Sequence, residues 1–336
     1  MIKSGYFILV ITLIVTINAS FFLGQYEISL NEYFMFIQKL LGFNSSISID
    51  KYETMKSVIF DIRLPRIISA ILIGASLAVA GASFQAMFVN PLVSPGILGV
   101  LSGASFGAAL GMILGLNWFL INLSTFIFGI LAVFFAISIS FIYSNSRNII
   151  ILVLGGIISS SLFSALLSII KYGADTNDVL PAITYWLMGS LSFSTSSIVW
   201  NLTIPMLSGI LILIFFSKYL NALSLGDEEA KALGVNTKLL KLIIILVATL
   251  ISALSVILAG IIGWIGLIIP HITRLIFGAD NKVILPMSAL IGAIFLLLVD
   301  NVSKLIFSFE IPIGIVTAII GIPIFIFVLK NAKKGF

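Results

Sequence analysis

Few residues in this chain are suited to catalysis or to metal binding. The single histidine, His271, has Arg274 as the nearest charged residue in sequence, and an arginine does not ligate metal. There is no cysteine, which excludes a disulfide framework and a thiolate metal site. The phosphate-binding pattern G-x-x-x-x-G-K-[ST] does not occur anywhere in the chain. We therefore interpret His271 as a structural residue and expect no nucleotide hydrolysis by this polypeptide.

The densest group of charged residues lies in the stretch SLGDEEAKALGV at residues 224–235. Ser224 and Asp227 have the spacing of a capping box, with Asp in place of the usual Glu. The three carboxylates at 227–229 would occupy the first turn of a helix, where the helix dipole favours negative charge. Gly234 could end that helix in the left-handed conformation. The pattern predicts a short charged helix, which taken alone is most simply a solvated connection between two apolar runs.

The elements on either side of this stretch are long, uncharged and apolar. The chain has 336 residues, of which 60% are hydrophobic and 9% charged, and its mean hydropathy is +1.24. A soluble domain would carry about twice that charge. Apolar runs of about 17–25 residues predict membrane-spanning helices, because lipid leaves backbone amides no partner outside the segment. Ten such runs are present: Tyr6–Leu23, Ile67–Val89, Ile97–Leu114, Phe119–Tyr143, Ile149–Ile170, Ile198–Phe216, Leu239–Leu258, Ile261–Phe277, Val283–Val299 and Ile311–Leu329.

The distribution of charge predicts the orientation of these spans. An even number of spans puts both termini on one side, and a cytoplasmic location for them places 11 basic and four acidic residues inside. The positive-inside rule favours that arrangement, so the net charge of +5 needs no nucleic acid to explain it. The first run resembles a signal peptide, since Lys3 precedes an apolar core. It lacks a clean A-x-A cleavage site, and we expect it to remain as the first span.

Glycine spacing and a series of short motifs mark most of the chain from Arg63 onward. Gly99, Gly103, Gly107, Gly111 and Gly115 recur every four residues, which on a helix makes a smooth ridge for close packing. The other motifs are RLPR at 63–66, GASLAVAG at 74–81, Gln85, NPLVSPGILG at 90–99, WLMGSL at 186–191, LGDEEAKALGV at 225–235, GWIGLIIPHITR at 263–274, Asp300, PIGIVTAIIG at 312–321 and PIF at 323–325.

Together and in this order, these motifs resemble the FecCD family of permeases, the membrane subunits of ABC importers for iron–siderophore complexes, haem and cobalamin. The resemblance implies an all-α membrane protein of about ten transmembrane helices, in the BtuC-like fold of type II ABC importers. It implies one permease domain over residues 1–336, with an external segment at 25–62 and a cytoplasmic coupling loop at 218–238.

The resemblance also implies partners and assigns the charged helix a role. The expected partners are two copies of an ABC ATPase subunit, a second copy of the permease or a related one, and an external substrate-binding lipoprotein or periplasmic protein. ATP and Mg would be bound by the ATPase, and the permease itself would bind no cofactor. The coupling helix that docks into the ATPase is expected at Ser224, Leu225, Gly226, Asp227, Glu228, Glu229, Ala230, Lys231, Leu233 and Gly234.

Two further sites are expected from the resemblance. Arg63 and Arg66 would pair with glutamates of the binding protein, and Lys304 would fill a third docking position less directionally, since a lysine cannot form a forked pair. Asn145 and Ser146, in the loop between the fourth and fifth spans, are the expected cytoplasmic gate. Asp300 and Glu310 bracket the last external turn, where we expect them to stay in water, to cap helices or to pair with Lys304.

The function implied is a non-enzymatic permease in the bacterial plasma (inner) membrane, carrying a metal chelate, most simply a ferric siderophore. Haem, cobalamin or molybdate are alternative substrates for the same machinery. An ion-coupled secondary transporter is the alternative from a different class. Such transporters usually keep ionisable residues near the middle of their spans, where this sequence has almost none. A structural or enzymatic membrane subunit would need polar residues clustered within the spans, and no such cluster is visible.

Overall fold

The structure is a computed structural model that describes residues 2–143, 149–306 and 309–332. Within these residues the chain folds into fifteen α-helices: α1 Ile2–Phe22, α2 Leu30–Leu40, α3 Ile49–Ser57, α4 Leu64–Met87, α5 Val100–Ile113, α6 Trp118–Tyr143, α7 Ile149–Gly173, α8 Val179–Leu187, α9 Ser196–Phe215, α10 Ser217–Leu223, α11 Asp227–Ala232, α12 Thr237–Ala259, α13 Ile265–Phe277, α14 Asn281–Leu305 and α15 Ile313–Ala332.

Each of the ten predicted apolar runs coincides with one of these helices. Seven helices are long and apolar enough to cross a membrane by length and composition, and α5, α13 and part of α15 are shorter apolar helices. At about 1.5 Å per residue, α5 is only about 21 Å long, less than the roughly 30 Å hydrocarbon core. The chain is therefore a multi-pass helical membrane protein that includes helices too short to cross alone.

The two short inner helices begin late because the chain before each of them is not α-helical. The predicted third run, Ile97–Leu114, opens with a 3₁₀ turn at Pro95–Leu98, and Gly99 then caps α5 with a φ of +88°. The predicted eighth run, Ile261–Phe277, becomes helical only at Ile265, after Trp264 with a φ of +70°. Helix α13 then continues through Pro270.

Helix α4 lies at the centre of the bundle. The most apolar part of α4 is 89% buried, whereas the corresponding parts of α12, α14 and α1 are 72%, 61% and 11% buried. Glycines bring its backbone directly against two neighbours. A methyl group on Gly74 would lie 2.2 Å from the carbonyl oxygen of Gly292, and one on Gly81 would lie 1.9 Å from that of Gly266. These contacts tie α4 to α14 and to α13 at a distance that no larger residue allows.

Three of the five glycines in the predicted ridge pack closely against a neighbouring helix. Gly103, Gly107 and Gly111 face α6, where a methyl group would come within 2.3, 2.4 and 3.0 Å of its atoms. Gly99 lies against Ser159 instead, and Gly115 has no neighbour within 4 Å. The ridge prediction is therefore confirmed for the helical part of the repeat, and its two outer glycines serve as turn residues.

The segment between α1 and α4, left without structure in the sequence analysis, folds into two short helices. Ser29 caps α2 in a complete capping box with Glu32, and Ser48 caps α3. A small core joins the two helices: Ile28, Phe36, Ile47, Met55 and Ile59. A π-helical turn, Val58–Arg63, then leads into α4. We call this end of the bundle the α2 end, and the opposite end, which carries α10 and α11, the α11 end.

Candidate functional site

Helix α11 spans Asp227–Ala232, where the sequence predicts a charged helix, but its N-terminus differs from the prediction. The N-cap is Gly226, with a φ of +121° and no side-chain cap hydrogen bond. The predicted capping box of Ser224 and Asp227 is wrong, because the Ser224 hydroxyl donates to the carbonyl of Leu220 at 2.9 Å. Only glycine adopts the Gly226 backbone without strain.

The C-terminus of α11 follows the prediction for Gly234. Gly234 has a φ of +80°, and its N–H donates to the carbonyl of Lys231 at 2.9 Å. The N–H of Val235 donates to the carbonyl of Ala230 at 3.0 Å. This pair of bonds is a Schellman motif, which ends the helix after two turns.

The surface of α11 combines an acidic tip with two exposed leucines. Leu225 and Leu233, which flank the helix, are each 65% exposed, and Glu228 and Glu229 are also exposed. Ala230 is fully buried and holds the helix against the bundle. Lys231 donates to Glu228 at 2.6 Å, whereas Asp227 accepts from Lys241 of α12 at 2.5 Å. Exposed leucines beside unburied carboxylates are a suitable contact surface for a soluble protein.

Helix α10 and its connection to α11 are anchored on the start of α14. Asn221 donates from its amide to Asp280 Oδ1 at 2.6 Å and accepts from the backbone N–H of Asn281 at 2.8 Å. The Asn281 amide donates to Ser224 Oγ at 3.2 Å. The hydrogen bond from Asn221 lowers the pKa of the Asp280 carboxyl. Helix α11 is thus bonded to α12 through Lys241, and the connection between α10 and α11 is bonded to the start of α14 through this cluster.

Only half of this anchor is visible in the sequence. Asp280 is the N-cap of α14 and accepts from the N–H of Lys282 at 2.9 Å. The Gly-x-Asp sequence before an apolar run is a recognisable helix start. Its partner Asn221 lies 59 residues away in the chain, however, and nothing in the sequence links the two.

At the α2 end, a buried charge cluster replaces the expected exposed basic residues. Arg66 Nε donates to Asp300 Oδ1 at 2.8 Å, and its Nη1 donates to both carboxylate oxygens of Glu310, at 2.8 and 2.9 Å. Ser192 donates to Glu310 Oε2 at 2.7 Å. Lys304 forms an ion pair with Asp300. Arg66 and Lys304 are 6% and 7% exposed, and Asp300 is fully buried.

The expectation that Asp300 stays in water is therefore wrong, and the alternative that it pairs with Lys304 is confirmed. Asp300 sits between two cations within hydrogen-bonding distance, and an isolated charge there would be costly. Glu310 is partly exposed. Burial raises the pKa of its carboxyl, but Arg66, Ser192 and Lys304 together lower that pKa by more, so it lies below the ordinary glutamate value.

Arg63 is engaged differently from Arg66. Its guanidinium donates to the carbonyls of Phe21, at the end of α1, and Tyr26, in the following linker, and its exposed fraction is 5%. The three residues expected to dock a binding protein are thus all bonded within the chain in this conformation. Their docking role stays a prediction.

Three motifs that are far apart in the sequence meet beside the Arg66 cluster. The N–H of Ser190 donates to the carbonyl of Ala259 at 2.9 Å, and the N–H of Ile313 donates to the carbonyl of Gly189 at 2.9 Å. A methyl group on Gly314 would lie 2.3 Å from the carbonyl oxygen of Met188. Non-helical backbone is tolerated within a membrane protein only where it is enclosed by protein, and these hydrogen bonds satisfy backbone groups of the three loops where they meet.

Gln85 and Arg274 link α4 to α13 towards the α11 end. Gln85 donates to the carbonyl of Leu267 at 3.2 Å and accepts from Arg274. His271 is 6% exposed, and its ring lies 6.5 Å from that of Phe325. Among the described residues, no group of three His, Cys, Asp or Glu side chains is placed to hold a metal ion. The expected gate residues Asn145 and Ser146 lie outside the described residues.

The fold and these two ends define a class: a polytopic helical transporter subunit with a short charged helix at one end and a closed polar junction at the other. The chain matches the FecCD transport family over residues 11–331. It is 40% identical to the molybdate import system permease protein MolB of Haemophilus influenzae, over 97% of this chain and 95% of that protein. It is 38% identical to a probable iron chelatin transport system permease protein of Helicobacter pylori, over 86% of this chain and 87% of that protein.

The solved structures agree with the family match. A structure described as an inward-facing conformation of a metal-chelate type ABC transporter is similar, with a TM-score of 0.85 and 39% identity over 97% of this chain and 98% of that chain. The chain belongs to the FecCD transport family. It is a permease of an ABC importer for metal chelates or related substrates.

Proposed function

We propose that this chain transmits the work of a separate ABC ATPase to the membrane through α11 and its flanking residues. The observation that carries this proposal is the surface of α11, where Leu225 and Leu233 are exposed on either side of an acidic tip. Two exposed leucines beside carboxylates at the end of the bundle form a surface that a soluble partner could cover. The anchors from Asp227 to Lys241 and from Asn221 to Asp280 supply a mechanical path into α12 and α14.

In this proposal the chain works as a single permease domain over residues 1–336, with the α11 end and both termini in the cytoplasm. The positive-inside distribution supports that orientation. Two ATPase copies bind ATP and Mg, the chain itself binds no cofactor, and a second permease of the same or a related kind completes the path. Asn145 and Ser146 are proposed to form the cytoplasmic gate.

A test of the coupling role changes the exposed side chains of Leu225 and Leu233. Leu225→Asp together with Leu233→Asp should reduce co-purification of the co-expressed ATPase by at least about tenfold, because two buried leucines contribute more than 1.4 kcal/mol to an interface. The matched control is Lys3→Glu, an exposed charge change at the start of α1, at the same end of the bundle. Undiminished ATPase binding by the double variant would refute the coupling surface.

We also propose that the α2 end receives the external binding protein through Arg63, Arg66 and Lys304. Arg66 already holds the carboxylate of Glu310, so docking there would exchange one carboxylate for another from the partner. Glu310→Gln should then raise the stimulation of ATPase activity by the binding protein, since it removes the carboxylate that competes for Arg66 Nη1, whereas the bond from Nε to Asp300 stays. Glu53→Gln, an exposed change in α3, is the control. Weaker stimulation in the Glu310 variant would contradict the exchange.

The first candidate substrate is a ferric siderophore, a proposal supported by the similarity to the Helicobacter pylori permease. The second candidate is molybdate, supported by the 40% identity to the permease of Haemophilus influenzae. Haem and cobalamin remain further candidates for the same machinery. Elemental analysis of the purified cognate binding protein distinguishes these substrates: bound iron without a porphyrin supports the first candidate, and bound molybdenum rejects it.

A further inference from the structure

Helix α2 carries an apolar face that nothing in the described chain covers. Leu30, Phe34 and Leu41 are spaced four and seven residues apart, so they share one face of the helix. Their exposed fractions are 65%, 66% and 66%, and Phe43, just past the helix, is also 66% exposed. The helix already buries Phe36 against the small core it forms with α3. Its apolar surface is thus wider than that core requires.

The charged groups of α2 are all turned to a different side and bonded there. Glu32 forms an ion pair with Lys51 of α3, and the bond to Lys51 lowers the pKa of Glu32 to about 2. Lys39 donates to the carbonyl of Ile47 at 3.2 Å and lies 4.9 Å from the centre of the Tyr52 ring. The exposed apolar face is therefore free of charge, as a surface in contact with lipid must be.

The position of α2 places this face at the membrane boundary. The ring of Tyr33 in α2 meets the ring of Phe22, the last residue of the spanning helix α1, at a centroid distance of 4.9 Å. Helix α1 is the least buried of the long spans and exposes Phe7, Ile8 and Val15 at 60–69%. A helix seated on the end of this peripheral span lies at the rim of the bundle, at the depth where the span leaves the bilayer.

We propose that α2 is an interfacial helix whose face of Leu30, Phe34, Leu41 and Phe43 inserts into the membrane leaflet at the α2 end. Amphipathic helices with aromatic and aliphatic residues on one side lie in the bilayer plane with that side among the acyl chains. The inserted face would hold the α2–α3 unit, and through Arg63 the start of α4, at a fixed height on the membrane. The proposal does not depend on the substrate or on the ATPase.

The absence of cysteine from the chain allows a direct test by spin labelling. Single variants Phe34→Cys and Leu41→Cys would carry a nitroxide in the full-length protein reconstituted in lipid nanodiscs. Val15→Cys, on the exposed flank of α1, supplies the lipid reference, and Asn31→Cys, an exposed polar position on α2, supplies the water reference. The readout is the collision rate of the label with oxygen and with a water-soluble nickel chelate.

Labels at Phe34 and Leu41 should behave like the one at Val15, with nickel collisions at least about threefold rarer than at Asn31. Water-like collision rates at both positions would overturn the proposal. A label that is shielded from the nickel chelate only after the binding protein is added would overturn the proposal in favour of a contact with that protein. Spin coupling between labels on two copies of the chain would overturn it in favour of a contact between the copies. Both replaced side chains are two-thirds exposed, so their replacement should leave the fold intact. Melting temperatures equal to that of the parent would confirm that the variants are folded.

Discussion

At the scale of single residues, Asp300 has the most consequential environment in the molecule. It is fully buried between Arg66 and Lys304, in a part of the chain where the sequence analysis expects carboxylates in water. The cluster joins α4, α14 and the loop before α15, because Arg66 also holds Glu310. Its charges lie near helix ends, so they leave the middle of the spans without an ion-binding carboxylate among the described residues.

The first prediction concerns the loss of that carboxylate charge. Asp300→Asn should lower the free energy of unfolding by about 3–5 kcal/mol, because it leaves the buried Lys304 without its carboxylate partner and next to the Arg66 guanidinium. The measurement is thermal unfolding of the purified protein in detergent. Lys304→Met, which removes one of the two cations, is the comparison variant. It should lower the free energy of unfolding by less than Asp300→Asn does. A melting temperature for Asp300→Asn equal to that of the parent would contradict the assigned role.

The second prediction is a pH dependence that belongs to Glu310. Its pKa is lowered in the folded protein, so its stabilising effect is complete above the ordinary glutamate pKa and is lost as the pH falls through the lowered value. The melting-temperature difference between the parent and Glu310→Gln should therefore be constant near neutral pH and shrink towards pH 3. A difference that grew on acidification would show that the charge of Glu310 does not stabilise the fold.

At the scale of elements, close helix packing at glycine sets the geometry around α4. Gly81 meets Gly266 of α13, and Gly74 meets Gly292 of α14, backbone to backbone. Helix association in lipid gains little from apolar burial, and it depends on close contact of this kind. The pair of contacts also explains how a shift of α14 at its anchored start could move α4.

The third prediction follows from the space at Gly81. Gly81→Ala should destabilise the protein by about 1–3 kcal/mol, because the methyl group would overlap the Gly266 backbone and force α4 and α13 apart. Gly173→Ala is the matched control, a glycine at the end of α7 with no atom within 4 Å of the added methyl. Thermal unfolding of both variants tests the packing. Equal melting temperatures would mean that the helices separate without cost.

At the scale of the whole molecule, the chain is a transport permease of the FecCD family. It has no phosphate-binding loop, and the buried charges of Arg66, Asp300 and Lys304 are paired near the ends of α4 and α14. Its family supplies permease subunits to ABC importers. Its mechanical input is proposed to enter at α11 and to pass through α12 and α14 to the centre of the bundle at α4.

The fourth prediction follows from the proposal that a separate ATPase drives transport. Liposomes that contain only this chain should accumulate no labelled substrate, with or without a proton or sodium gradient. Uptake should require the ATPase, ATP and the loaded binding protein together. Liposomes with the complete assembly and a non-hydrolysable ATP analogue provide the control for passive leakage. Gradient-driven accumulation by the chain alone would instead identify an ion-coupled transporter.

The sequence by itself determined the membrane class, the positions of all ten apolar helices and the short charged helix. Long uncharged runs in lipid form helices over most of their length, because their backbone groups must be satisfied within the segment, and a cap such as Gly234 acts within one helical turn. These are local consequences of composition, and they need no knowledge of the rest of the chain.

Only the tertiary structure decided which charges are buried and where α11 is anchored. Arg66 lies 234 residues from Asp300 and 244 from Glu310, and Asn221 lies 59 from Asp280. Pairings over such separations depend on which helices become neighbours, and that is decided by backbone contacts such as Gly81 with Gly266. For the same reason, residues that look exposed from their place at the end of a span, Arg63 and Arg66 above all, proved to be bonded inside the bundle.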